Sequence, residues 1–278
     1  MRISAGFTIA YDCPQPVPML LTLSVHPSLR DRLLTPEWIR TDPLVDVRQY
    51  LDGFGNICSR VLAPTGRFTL SSAFDIADDG QVDAFAPDAA QVAAEDLPDA
   101  TLVYLLGSRY CETDQLMQIA WSLFGGTRPG WARVQAVTDF VHDHIRFGYE
   151  HARATRSAWE AYAEGVGVCR DYAHLAVALC RCLNIPARYC TGYLGDIGVP
   201  VVGEMDFSAW FEVYLDHRWY AFDARNNRPR IGRILMARGR DATDVAMVNA
   251  FGPAALVQFT VVTLEADDAA SGRSAASC

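Results

Sequence analysis

A single cysteine in this chain is placed where a thiol could become a nucleophile. It is Cys169, in the run "GVGVCRDYAHLAVALC" over residues 165–180. A thiol attacks as its thiolate. An unpaired helix N-terminus, with free N–H groups and aligned peptide dipoles, favours that negative charge. Gly165 and Gly167 allow tight backbone turns just before Cys169, which then opens a helix; neighbouring backbone N–H groups are candidates to hold an oxyanion. On this run alone, a cysteine packed at a helix start fits as well as a nucleophile. A second run, "DFSAWFEVYLDHRWYAFD" over residues 206–223, reads as a strand, a tight turn and a strand ending on an acid. Phe207, Ala209, Phe211, Val213 and Leu215 make its apolar face. Ser208, Trp210, Glu212 and Tyr214 make a more polar face, as expected of a half-covered site wall. Asp223 closes the pair with a carboxylate able to orient a base.

The two runs together, with "RCLNIPARYCTGYL" between them, resemble the core of bacterial transglutaminase-like proteins, members of the papain-like cysteine group. The resemblance covers about residues 130–235. It implies a papain-like core with a cysteine helix packed on an antiparallel sheet, and chemistry at amide or isopeptide bonds. Position by position, Cys169 matches the family's nucleophile and Asp223 its acid. The residue before "AWFEVYL" should be the catalytic histidine, and here it is Ser208. Asn226 stands where relatives often carry another histidine.

The substitution removes a chemical function. An imidazole takes the thiol proton, pairs with the thiolate and later protonates the leaving amine. A serine hydroxyl near neutral pH only donates or accepts a hydrogen bond. General acid–base help is worth ~10²–10⁴-fold, and residues of a triad act as a unit. His174 lies five residues beyond Cys169, about 140° around the helix, and should face elsewhere. His217 sits in the strand-pair turn. Of His142 and His144, at least one should face solvent. His151, in a loop before the cysteine run, is the histidine most open to a substitute role. Ideal pairing about a turn near 216–218 leaves Ser208 and Asp223 offset, so their closeness follows only from the resemblance or from a bulge.

The elements that would position these groups read as an α+β chain. Residues 1–97 form a β-rich N-terminal domain of short alternating strands, with turns at Asp52-Gly53 or Gly55-Asn56. Its segment 77–100, rich in Ala, Asp and Pro, reads as a linker. Residues 98–264 form the transglutaminase-like core. There Thr113 is a plausible N-cap with Gly125 as the stop, and Trp131, Val134, Val137, Val141 and Ile145 fall on one helical stripe. "ALVQFTVVTL" is a further strand, and 265–278 has the composition of a flexible tail.

Composition narrows the function class. The chain has 278 residues, is half apolar and carries a net charge of −9. That balance argues against a nucleic-acid partner and suits a cationic one. No run approaches a membrane span and no apolar leader opens the chain, so a cytoplasmic protein without a membrane partner is expected. Eight cysteines without a CxxC pair read as reduced thiols, and no ligand spacing for a metal or cofactor is present. Arg225, Arg228, Arg230 and Arg233 form a basic cluster that is either solvated or a carboxylate-binding patch. Two readings follow. The first is a degenerate family member, with Cys169 and Asp223 but no histidine, that binds a peptide, protein or polymer amide ligand in the old cleft, with a homodimer among the expected partners. The second is an active acyltransferase or amidohydrolase with a substitute base, acting on isopeptide bonds such as those of the arginine-bearing polymer cyanophycin. The missing imidazole favours the first.

Overall fold

The computed structural model describes residues 1–201 and 205–266. In chain order it begins with strands β1 (Arg2–Cys13), β2 (Val17–Leu21), β3 (Arg40–Asp42), β4 (Arg48–Leu51), β5 (Ile57–Ala63) and β6 (Gly66–Ala77). Helices α1 (Asp99–Leu102), α2 (Thr113–Phe124) and α3 (Trp131–His144) follow, then β7 (Arg146–Phe147), α4 (Ala158–Glu164), β8 (Val166–Gly167) and α5 (Cys169–Cys182). The chain continues through β9 (Ala187–Tyr193), β10 (Phe207–Leu215), β11 (Arg218–Phe222), β12 (Ile234–Gly239), β13 (Val248–Ala250) and β14 (Ala255–Ala266).

Two antiparallel sheets, ordered β14-β1-β6-β3 and β13-β2-β5-β4, make the N-terminal region. Their alternating apolar residues, among them Ile3, Phe7, Met19, Leu21, Phe68 and Leu70, share one core. That core also takes Tyr193, Phe207 and Ile234 from the third sheet, so no solvent layer divides the two regions. The third sheet runs β11-β10-β9-β12 and carries α5 on one face. Leu175, Leu179 and Leu183 pack there with Phe211, Val213 and Leu215 of β10 and with the stripe of α3, in which Trp131, Val134, Val137, Val141 and Ile145 are all buried. No helix among the described residues is long and apolar enough to cross a membrane.

Four sequence expectations are corrected by this arrangement. The 98–264 unit would keep the last strands with the helical core, but β13 hydrogen-bonds to β2, and β14 runs the length of β1. Glu265 and Ala266, placed in the tail, end β14; the remainder of the tail, 267–278, lies outside the described residues. The segment read as a linker is a cover: its Val92 and Leu97 pack on Tyr214. Finally, Thr113 lies inside α2, whose N-cap is Glu112, while Gly125 ends the helix as expected.

Candidate active site

The backbone before Cys169 is shaped by its two glycines. Gly165 ends α4 in the left-handed region at φ 62°, a conformation that costs glycine nothing. A Cβ on Gly167 would come within 2.7 Å of the Asp171 side chain, so only glycine lets the two approach. Asp171, fully buried, reaches back and accepts the Val168 N–H at 2.9 Å, which caps α5. The Arg156 guanidinium donates to the same carboxylate at 3.1 Å and to Glu164 at 3.0 Å. Cys169 thereby stands at the first turn of a helix whose start is fixed by a buried ion pair.

The thiol is only partly exposed and packs against Ala173, Tyr189, Ala209 and Val245. Burial pushes it up to about 11. The Arg225 cation and the Ala209 N–H, directed at the sulfur, pull the other way, while the Asp206 and Asp223 carboxylates add to the rise. The lowering expected from the helix N-terminus is therefore outweighed by desolvation. At neutral pH the sulfur is a protonated thiol.

Ser208 lies on β10 opposite Gly192 of β9, and its carbonyl accepts from the Thr191 hydroxyl at 3.2 Å. The half-covered wall expected on its side of β10 is not half-covered. Trp210 is buried with Cys190 and Leu235 against Leu29, and Tyr214 is covered by the former linker. The β10–β11 hairpin turns at Asp216 and His217, both with positive φ, and aligns Phe211 with Phe222. Asp223 thus leaves the strand at the level of Trp210, two residues past Ser208. Its carboxylate is committed elsewhere: it accepts from Asn226 N–H and Nδ2 at 2.9 and 2.8 Å and pairs with Arg233 at 3.0 Å. Asn226 ties off the acid.

None of the six histidines is among the groups that act on the thiol, and five of them have other partners. His174 Nε2 accepts the Ala242 N–H at 3.1 Å, its ring stacked on Tyr110 and tilted against Tyr189. His142 Nδ1 donates to the carbonyls of Ala224 and Arg225, and His144 Nε2 to that of Tyr162. Neither of these two is fully solvent-facing. His151 lies 3.6 Å from Glu150, and His26 caps the turn at Ser28. His217 sits at the turn, the far end of the hairpin from Ser208.

The arginine cluster is a solvated loop only at Arg228, which is exposed. Arg230 is buried against Asp196 and the Gly195 carbonyl, and Arg233 bridges Asp83 and Asp223. Arg225 lies over the Phe147 ring at 4.0 Å and is the cation felt by Cys169. Sequence reasoning placed Arg225 in a patch beside the site but missed Asp206, the Ala209 N–H and Tyr189. Asp206 directly precedes the Ser208 strand; burial raises its carboxyl above the usual range, against the Phe207 N–H and Arg225. Its position two residues before Ser208 was the available signal.

Comparison with known proteins agrees with the geometry. The model of the Transglutaminase-like superfamily matches residues 118–224. The chain is similar to a solved structure from Cytophaga hutchinsonii, described as a candidate cysteine protease, with 29% identity over 96% of this chain and 92% of that one, at a TM-score of 0.81. It is also 36% identical over 94 residues to an uncharacterized protein of Mycobacterium leprae, a match spanning 32% of this chain and only 33% of that protein. The residues matched by the family model run from α2 to the end of the β10–β11 hairpin and hold Cys169, Ser208 and Asp223: residues 118–224 are a transglutaminase-like superfamily domain.

Proposed function

We propose that this chain uses the transglutaminase-like cleft to bind a peptide or polymer amide ligand and does not turn it over. The observation that carries the reading is the surroundings of Cys169: burial pushes its thiol up to about 11, and the groups that act on it are Arg225, the Ala209 N–H, Asp206 and Asp223, with no imidazole among them. Ser208 offers neither a base nor an acid for a leaving amine. Asp223, the residue matching the family's acid, is already ion-paired with Arg233 and hydrogen-bonded by Asn226. The backbone parts of the site persist, namely the capped start of α5 and the Ala209 N–H, and these bind amide groups without any proton transfer. The seven described cysteines are all free, which supports a reducing compartment such as the cytoplasm.

One further feature bears on the chemistry. All 24 basic residues of the chain are arginine, with no lysine. The chain thus offers no ε-amine to an acyl transfer, and copies of it cannot be joined by lysine isopeptide bonds. Any lysine amine for such a step would have to come from a partner.

A second reading has one observation in its favour. Asp206, with its raised carboxyl, is close enough to influence the thiol and is a substitute base on paper. It would make the chain an acyltransferase or amidohydrolase of peptide or isopeptide bonds, cyanophycin among them. Proton transfer from a thiol near 11 to a carboxylate is, however, steeply uphill, and a carboxylate that keeps its charge disfavours the thiolate. The test is turnover. Unmodified protein and the Ser208→His variant are assayed for ammonia or amine release on amide and isopeptide substrates. Activity confined to the variant is the expected result. Turnover by the unmodified protein that disappears in Cys169→Ala overturns the binding reading, and its further loss in Asp206→Asn would establish the second.

A further inference from the structure

We propose that the ligand held beside Cys169 is an acidic peptide, whose carboxylates are received by Arg109 and Arg170. The inference rests on the binding reading above and names the chemistry of that ligand.

A cavity of about 460 Å³ lies where the N-terminal sheets meet the cysteine helix, within the size range of ligand sites. Arg170, Tyr189 and Thr191 line it from the core, and Tyr11, Leu256 and Phe259 from the sheets. Cys169 does not itself line the cavity; the two are joined through Tyr189 and Val245, which line it and belong to the buried cluster on which Cys169 packs.

The charge of this cavity is opposite to that of the chain. Among the described residues no acid lines it, while two arginines do. Arginines around the site are mostly neutralised, Arg156 by Glu164 and Asp171, Arg233 by Asp83 and Asp223, Arg240 by Asp244. Arg109 is exposed and held over the Tyr110 ring at 5.2 Å. Arg170 approaches the same ring at 4.2 Å. Its Nη1 donates to the carbonyls of Arg153 and Arg156 and, at 3.4 Å, to Asp171, which Arg156 also holds; its Nη2 is buried without a partner among the described residues. Asp241 is buried and accepts the N–H groups of Tyr110 and Thr243. Two guanidinium groups on one ring, at the positive end of α5, form a receptor for carboxylates, which arginine binds through paired N–H donors.

The rest of the lining selects among anions. Tyr11, Tyr189, Leu256 and Phe259 present apolar and aromatic surface to the body of a ligand. The net charge of −9 repels a long polyanion, whereas one or two carboxylates meet only the local arginines. A cationic ligand, suggested by net charge alone, would face both arginines here.

The experiment is selection from a randomised library of amidated hexapeptides by the full-length protein, with binding of the recovered peptides read by calorimetry. Enrichment of Asp and Glu by the unmodified protein is expected, and Arg109→Gln should reduce the affinity of those peptides about tenfold. Arg109 is exposed, and unfolding curves of the variant would register any loss of folding separately. Enrichment of neutral or basic peptides, or acidic peptides indifferent to Arg109→Gln, overturns the acidic assignment and leaves the binding reading standing. Recovery of no peptide above background removes the binding reading itself.

Discussion

Alkylation of Cys169 by iodoacetamide reports directly on the proton that decides the function. With the thiol at about 11, the thiolate fraction at pH 7.5 is about 10⁻³·⁵, against about 10⁻¹·⁵ for a thiol at its ordinary 9.0. The reaction should therefore run roughly a hundredfold slower than with an ordinary thiol. Partial burial slows it further, so the shape of the pH profile is more telling than any single rate. The logarithm of the rate should rise with unit slope from pH 6 to beyond pH 9 with no plateau. Peptide mapping reads Cys169 separately from Cys278 and from the six buried cysteines. Arg225→Met should lower the rate at every pH, because Arg225 is the largest influence favouring the thiolate. A plateau beginning below pH 8 in the unmodified protein would show an activated thiolate and refute the reasoning.

Three further outcomes follow from the same geometry. Arg233→Met leaves the carboxylates of Asp83 and Asp223 unpaired in a buried setting, and should cost about 3–5 kcal/mol in denaturant unfolding; a loss below 1 kcal/mol would mean the pair is well solvated. Glu37, held among Ser24, Ser72 and Tyr193, is pushed by burial from 4.5 to about 7, so its contribution to stability is present below pH 4.5 and is lost as pH rises to 7. His26, lowered by burial to about 4, gains stability over nearly the same window, so Glu37→Gln must be read as a difference from the unmodified protein: near zero at pH 4 and up to about 3 kcal/mol stabilising at pH 8 by chemical unfolding. Ser157→Ala removes half of the capping box that starts α4 and should cost ~1 kcal/mol in the same measurement.

The sequence was most legible where the pattern is local. The stripe of α3, the opening of α5 at Cys169 and the β10–β11 hairpin follow from periodicity, glycines and a two-residue turn. Less legible was everything decided by a distant partner. Trp210 and Tyr214 looked like a site wall because alternation reports two faces, not what covers each. Their covers, Leu29 and the Val92–Leu97 segment, come from far upstream. The helix-start argument for a lowered thiol was sound in isolation, but it could not weigh the packing of Tyr189, Ala209 and Val245 around the sulfur. Likewise the commitment of Asp223 to Arg233 joins two residues whose pairing no spacing rule reveals.

The pairing of β14 with β1 sets the order in which this molecule can be assembled. Phe7 waits opposite Val261, and Leu20 opposite Asn249. A chain leaving the ribosome has the whole cysteine helix and its sheet before the last strands of the sandwich emerge. Until then two strand edges stand bare, open to a wrong neighbour. Closing so long a loop makes the completed sandwich a late event, and a fragment cut at residue 97 would lack two of its own strands.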